Sequence, residues 1–266
     1  MERPMAPFEF RPGRIPLLVS MPHVGLGLSP GLAERLVPEA RDLPDTDWHL
    51  PRLYDFLDEV GASVLIATHS RYVIDLNRPP DDKPLYAGAT TGLCPDTLFD
   101  GSPLYREGQA PDAAERTRRL ETYWRPYHDK IAATLEAMRA EHGVAVLFDA
   151  HSIRSEVPRL FDGRLPDLNF GTNDGASVGG DIAPRLLAAC AGAPQYTHVL
   201  NGRFKGGYIT RHYGQPQRNI HAVQLEMSQI VYMDEDRPFA FREDLAQGIR
   251  PVLRSIVAVL AEAARA

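Results

Sequence analysis

Four short apolar runs constrain the fold of this chain most. They occupy residues 15–21, 64–68, 144–148 and 222–225 and consist largely of Val, Ile, Leu and Ala, without regular polar alternation. Such runs suit strands covered on both faces, as in the interior of a mostly parallel sheet with helices on either side. Each run ends in, or leads into, a polar segment: Pro22-His23, Asp75-Leu76-Asn77-Arg78, Asp149-Ala150-His151-Ser152 and Leu225-Glu226. Ligands of open α/β sheets bind beyond the carboxyl ends of the strands, so these segments are expected to meet at one sheet edge. The expected architecture is a three-layer α/β fold with a mixed, mostly parallel central sheet flanked by helices. A chain of 266 residues can bury one large core, and residues 1–266 are read as a single domain.

Helices are predicted at residues 50–60, with Pro51 in the first turn, at 112–141, at 181–191 and at 244–264. The second carries Leu120, Tyr123, Trp124, Tyr127, Ile131 and Leu135 at three- and four-residue steps, with Pro126 as a kink. A further strand is predicted at 196–200. Residues 77–110 and 155–180, dense in Pro, Gly, Asp and Asn, read as long loops, the first covering part of the site.

Charge and cysteine content narrow the partners. With 29 Lys and Arg against 35 Asp and Glu, the net charge of -6 disfavours nucleic acid and acidic membrane surfaces. Any anionic ligand must therefore be met by local arginines. Cys94 and Cys190 stand far apart without CxxC spacing, which provides neither a disulfide framework nor a thiolate zinc site. Residues 1–12 contain no apolar core of a signal peptide, and no apolar stretch of roughly 18 residues occurs. A soluble cytoplasmic protein is expected.

Among the polar segments, His23 follows Pro22 and precedes Gly25, a stiff approach and a flexible exit around an imidazole. His151 has Asp149 and Ser152 beside it, either of which can orient the ring. Two imidazoles need an anionic third ligand in a catalytic zinc site, with the fourth position left for water. Asp47 is the first choice and Asp45 the second, with His49 and His69 as further candidates. A strand-end histidine alone is more often packed or hydrogen-bonded than ligating, and acids before a helix often serve its dipole. The metal reading therefore rests on the set.

Asn77-Arg78 precedes Pro79-Pro80 and offers an amide and a guanidinium fork from a stiff turn, suited to a carboxylate. Asp75 can hold Arg78 or Arg71. Glu226 ends an apolar strand, a costly place for a charge without a partner or a task, and beside activated water it fits a general base. Tyr208, Thr210 and Arg211 supply further donors, Arg211 being a second carboxylate clamp.

These segments resemble the N-formylglutamate amidohydrolase family over nearly the whole chain. The resemblance is carried by Ser-Met-Pro-His-Val-Gly at 20–25, Asp-Thr-Asp-Trp-His at 45–49, Arg-Leu-Tyr-Asp-Phe at 52–56, Asp-Leu-Asn-Arg-Pro at 75–79 and Asp-Ala-His-Ser at 149–152. It continues in Asn-Gly-Arg-Phe-Lys-Gly-Gly-Tyr-Ile-Thr-Arg at 201–211 and Gln-Leu-Glu-Met-Ser at 224–228. The family looks like a branch of the zinc carboxypeptidase and aspartoacylase superfamily, which implies a zinc carboxypeptidase-like (phosphorylase/hydrolase-like) fold. It also implies one zinc ion, or another divalent metal, on His23, an acidic residue and His151, with Asn77 and Arg78 on a carboxylate and Glu226 as base. The His-x-x-Glu ligand pair of the wider superfamily is absent, since Leu26 takes the third place after His23. The acidic ligand must come from elsewhere, and Arg71 is the nearest match by spacing to the superfamily's carbonyl-polarising arginine. The implied activity is hydrolysis of N-formyl-L-glutamate to L-glutamate and formate, the last step of a histidine degradation pathway. The alternatives are a deacylase of another N-acyl amino acid or a carboxypeptidase on the same scaffold, and, outside enzymes, a carboxylate- or metal-binding protein. Neither nucleic acid nor membrane is an expected partner, and no oligomeric state is assigned.

Overall fold

The computed structural model describes residues 5–85 and 90–265. Residues 86–89 of the predicted loop at 77–110 lie outside the described part, as do residues 1–4 of the segment read as lacking a signal-peptide core. Seven strands form one sheet: β1 (Phe8–Arg11), β2 (Leu17–Met21), β3 (Ser63–Ala67), β4 (Ala145–Ile153), β5 (Leu168–Gly171), β6 (His198–Leu200) and β7 (Ile220–Ser228), in the spatial order β1-β3-β2-β4-β7-β5-β6. The four apolar runs form its parallel centre, β3-β2-β4-β7. At the edges, β1 runs antiparallel to β3 and β5 antiparallel to β7, while β6 is parallel to β5.

Helices cover both faces, as the three-layer reading requires. Short α1 (Leu32–Arg35), α4 (Ala113–Arg119), long α5 (Arg125–His142) and α7 (Tyr208–Tyr213) contribute to or border one apolar core with Leu18, Leu65, Ala145, Leu147 and Ala222. On the other face, short α2 (Leu50–Leu53) and α3 (Leu57–Val60), α6 (Ile182–Ala191) and α8 (Glu243–Ala263) pack with Leu17, Val19, Val64, Val146, Phe148, Val223 and Leu225. Successive strand residues thus feed opposite cores, the period of two expected of a sheet buried on both sides.

The differences from expectation have local causes. The predicted helix at 50–60 is two short helices, because Tyr54 departs from helical geometry (φ -96°, ψ 34°) as Tyr54 and Phe56 turn into the core. The predicted helix at 112–141 is nearly continuous but contains a π-helical turn at Leu120–Trp124, just ahead of Pro126, whose ring nitrogen cannot donate to the ladder. Its start is as read: the Asp112 side chain accepts from the Glu115 backbone N–H at 2.7 Å. Two strands escaped the sequence reading. β1 is a four-residue edge strand, and β5, inside the predicted loop at 155–180, has an Asn and a Gly among its four residues and depends on β7 and β6 for its ladder. β4 and β7 each run nine residues, well beyond their apolar runs.

Candidate metal centre and its cavity

That extension of β4 and β7 builds the site. On the face shared with α5 and α7, β4 changes from Ala145 and Leu147 to Asp149 and His151, and β7 from Ile220 and Ala222 to Gln224 and Glu226. His151 pairs in register with Glu226 across the parallel ladder. All four polar residues are buried. Side chains that continued an apolar face in the first half of each strand become a polar cluster at its carboxyl end.

His23, Asp47 and His151 converge there, their candidate ligand atoms all within 4.8 Å of one another. Asp47 reaches this point from the loop before α2, where its backbone N–H donates to the His23 carbonyl at 3.1 Å. Each imidazole uses one ring nitrogen on a carboxylate outside the group. His23 Nε2 donates to Asp75 Oδ1 at 2.7 Å, and His151 Nε2 donates to Asp149 Oδ2 at 2.8 Å. Their Nδ1 atoms turn inward, 3.8 Å and 3.0 Å from Asp47 Oδ2. This is the carboxylate-histidine arrangement that fixes the tautomer and aim of a metal-binding ring. Of the two orienting residues predicted for His151, Asp149 contacts the ring, while the Ser152 backbone N–H donates to Asp47 Oδ2 at 3.2 Å.

The charges follow from these contacts. Burial lowers the His23 pKa and the adjacent Arg71 guanidinium lowers it further, against the pull of Asp75, leaving a neutral ring. Burial opposes charge on His151 too, but Asp149 and Asp47 outweigh it and raise its pKa well above the ordinary value. Burial disfavours the Asp47 carboxylate, yet its hydrogen bond to His151 and the nearby positive groups lower its pKa. Asp75 is held far below the usual range, where His23, Arg78 and Arg71 overcome burial. Glu226 goes the other way: burial, reinforced by Asp47 and Asp149, pushes it up to about 8 despite His151 and Arg71.

The donor set fits a divalent cation: two imidazoles and one carboxylate, buried, with each imidazole held by a carboxylate outside the group. Arg71 Nη2 donates to His23 Nδ1 at 2.5 Å and lies 3.4 Å from Asp75 Oδ2, and its guanidinium stands 4.7 Å over the Phe99 ring. Its Nε is buried without a hydrogen-bond partner among the described residues.

The remaining metal candidates lie elsewhere. Asp45 accepts from the Phe99 backbone N–H at 3.0 Å, and burial raises its pKa to about 6 against the opposing Arg71 charge. His49 has a left-handed backbone (φ 63°) and donates through Nε2 to the Phe239 carbonyl at 2.7 Å. His69 contacts Thr68 Oγ1 at 2.9 Å and the Tyr123 ring.

One cavity opens onto His23, Asp47, Arg71, Asn77, His151 and Glu226, with Arg78 also in its wall. Asn77 serves as a brace. Its Nδ2 donates to Asp149 Oδ2 at 3.1 Å and lies 3.0 Å from His151 Nε2, while its Oδ1 accepts from the Ile209 backbone N–H at 2.8 Å. Gly207 packs so tightly on this amide that a Cβ there would lie 2.4 Å from Asn77 Nδ2. Arg78 is held by the Thr91 carbonyl at 2.8 Å and approaches the Thr90 and Thr91 hydroxyls at 3.3 Å. Tyr208, Thr210 and Arg211 do not line the cavity. They form part of α7, from which Arg211 Nε donates back to the Gly206 carbonyl at 2.7 Å. Arg203, Phe204 and Gln224, which the sequence reading did not single out, do line it. Arg203 lies in the same segment as Arg211, and spacing within that segment does not tell which arginine faces inward.

Comparison with known proteins shows the family. Residues 15–233 match the family model for N-formylglutamate amidohydrolase. The chain belongs to the N-formylglutamate amidohydrolase family. It is 64% identical over 249 residues to an N-formylglutamate deformylase of Pseudomonas aeruginosa, covering 94% of each chain. A second N-formylglutamate deformylase, from Pseudomonas putida, is 60% identical over 252 residues, covering 95% of this chain and 94% of the relative. The N-formylglutamate amidohydrolase of Ralstonia eutropha JMP134 superposes with a TM-score of 0.83 at 23% identity, covering 98% of this chain and 99% of that one, so the two share the fold. The His23, Asp47 and His151 group lies wholly within the residues matched by the N-formylglutamate amidohydrolase model.

Proposed function

We propose that this chain hydrolyses N-formyl-L-glutamate to L-glutamate and formate in a metal-dependent reaction, with zinc on His23, Asp47 and His151. One observation carries the reading: a buried His-Asp-His donor group lies beside Glu226, paired in register with one of its histidines. The family's deformylase relatives support the substrate.

When bound, such an ion acts as a Lewis acid and acidifies water. Glu226 accepts the proton of the attacking water, whose oxygen adds to the formyl carbon. As a carboxylate beside the donor group it holds that proton only transiently and returns it to the substrate nitrogen as the carbon-nitrogen bond breaks. Arg71 supplies positive charge to the developing oxyanion. Asn77 and Arg78 take the substrate's α-carboxylate, Asn77 doing so from an amide already braced against His151. Tyr208, Thr210 and Arg211 support this wall from α7.

The proposed enzyme is one domain, acts at the end of histidine degradation and resides in the cytoplasm. Among the described residues Cys94 and Cys190 are both free and buried, and no helix is long and apolar enough to cross a membrane. The test is formate release by the purified protein from N-formyl-L-glutamate, before and after metal removal and after zinc is restored, beside N-acetyl- and N-succinyl-glutamate and short peptides. Formate release that is lost with the metal and regained with zinc is expected. Absence of formate from the zinc-loaded protein would overturn the activity, and full turnover after complete metal removal would overturn the metal's part.

A further inference from the structure

The substrate of the proposed reaction carries two carboxylates, and Asn77 with Arg78 accounts for one. The second lies at the end of the glutamate side chain, beyond two methylene groups. Its receptor must combine a cation with apolar walls on the way to it, and one part of the cavity has that composition.

We propose that Arg203 binds the substrate's side-chain carboxylate and sets the preference for glutamate over neutral amino acids, a proposal that rests on the deformylase reading above. Arg203 and Arg78 line the same cavity, together with the candidate metal ligands and Glu226. The segment carrying Arg203 is seated against the other carboxylate element, because Gly207 lies directly on the Asn77 amide and the Ile209 backbone N–H donates to it. The two cation-bearing walls therefore join at Asn77.

Arg203 is pre-aimed by its surroundings. Its Nε donates to the Leu160 carbonyl at 2.6 Å, and its guanidinium lies 5.3 Å from the Phe204 ring centre. Leu160 and Phe204 pack on a small apolar cluster built on Ile153, Val157 and Leu165. Ile153, Leu160 and Phe204 also face the cavity, giving the methylene groups an apolar path to a charge-assisted contact with the guanidinium. Fixing the guanidinium before the ligand arrives reduces the side-chain entropy lost on binding. Arg71 is unsuited to this task, being in contact with His23 and Asp75 at the reacting end. Arg211, though close in sequence, lies on α7 outside the cavity lining and is bonded to the Gly206 carbonyl.

The experiment crosses Arg203→Gln with substrate charge. Formate release is measured on N-formyl-L-glutamate and on N-formyl-L-glutamine, which has nearly the same shape without the side-chain charge, in the zinc-loaded wild type and in R203Q, R203K and R211Q. Loss of a charge-assisted contact predicts that R203Q lowers kcat/KM for N-formyl-L-glutamate by about 10- to 100-fold and leaves that for N-formyl-L-glutamine within about threefold. R203K should recover part of the glutamate rate, and R211Q should lower both substrates equally or neither. Equal losses on the two substrates in R203Q, with melting temperature and metal content at wild-type values, would overturn the assignment, as would a charge-selective loss in R211Q. If R203Q fails to fold, R203K decides: a charge-selective change supports the proposal, and proportional changes refute it. A wild type that releases no formate from either substrate would instead refute the underlying deformylase reading, so the two failures are distinguishable.

Discussion

Replacing Asp149 by Asn tests how far the metal centre depends on a residue that is not itself a ligand. Asp149 is fully buried and its Oδ2 accepts from His151 Nε2 at 2.8 Å and from Asn77 Nδ2 at 3.1 Å. Asparagine has nearly the same shape, so packing is preserved while the negative charge behind the imidazole is removed. Losing such an outer partner typically weakens metal binding by about 10- to 100-fold, equivalent to about 1.4 to 2.7 kcal/mol. A second consequence follows from the proton that the same carboxylate helps hold on His151. In the metal-free protein burial opposes that proton, but Asp149 and Asp47 prevail and raise the pKa well above its ordinary value. A metal on Nδ1 must displace it. D149N therefore weakens the hold of His151 on its proton as well as on the metal, and the deficit should be largest in alkaline buffer and shrink as pH falls. The assay is zinc titration against a competing chelator across a pH series, with melting temperature as a check on folding. Wild-type affinity within about twofold at every pH, in a folded variant, would refute the claim that this carboxylate supports His151 as a ligand. A uniform loss at every pH would refute the proton competition.

Two other outcomes follow from the same structure. Glu226→Gln should retain zinc at wild-type stoichiometry while kcat for formate release falls by about 10²- to 10⁴-fold, the usual contribution of a general base, and full activity would remove Glu226 from that role. His128 predicts acid lability of the fold: burial, aided by His212, drops its pKa to about 3, against the opposing hydrogen bond to the Leu76 carbonyl. The ring is neutral in the folded state while the unfolded chain protonates near pH 6.5, so the His128 contribution is fully present above pH 6.5 and is lost as pH falls towards 3, by at most about 1.4 kcal/mol per pH unit. Urea midpoints between about pH 7 and 4 should consequently fall less steeply for His128→Phe than for wild type.

Much of the site was legible because its parts lie next to strong local signals. His23 and His151 stand at or beyond apolar runs, and Asn77-Arg78 is a compact dipeptide before two prolines. The acidic ligand was harder to read. Asp45 and Asp47 are two residues apart, and the short helical turns around them leave either plausible in one dimension. In the structure Asp47 is bonded to the His23 backbone and faces both imidazoles, whereas Asp45 is turned to Phe99. The same ambiguity separated Arg203 from Arg211, one on the cavity wall and the other on α7.

By itself the sequence determined the central parallel strands, since only a sheet covered on both faces can absorb such continuous apolar runs. It likewise determined the long helices at 113–142 and 243–263, through their three- and four-residue spacing. Tertiary structure alone decided how far β4 and β7 extend, because their polar carboxyl halves pair through the backbone ladder, which carries no side-chain pattern. That pairing sets Glu226 beside His151, and the packing of Gly207 on Asn77 joins the two arginine-bearing walls. Such relations depend on contacts between residues distant in the chain, where local periodicity carries no information.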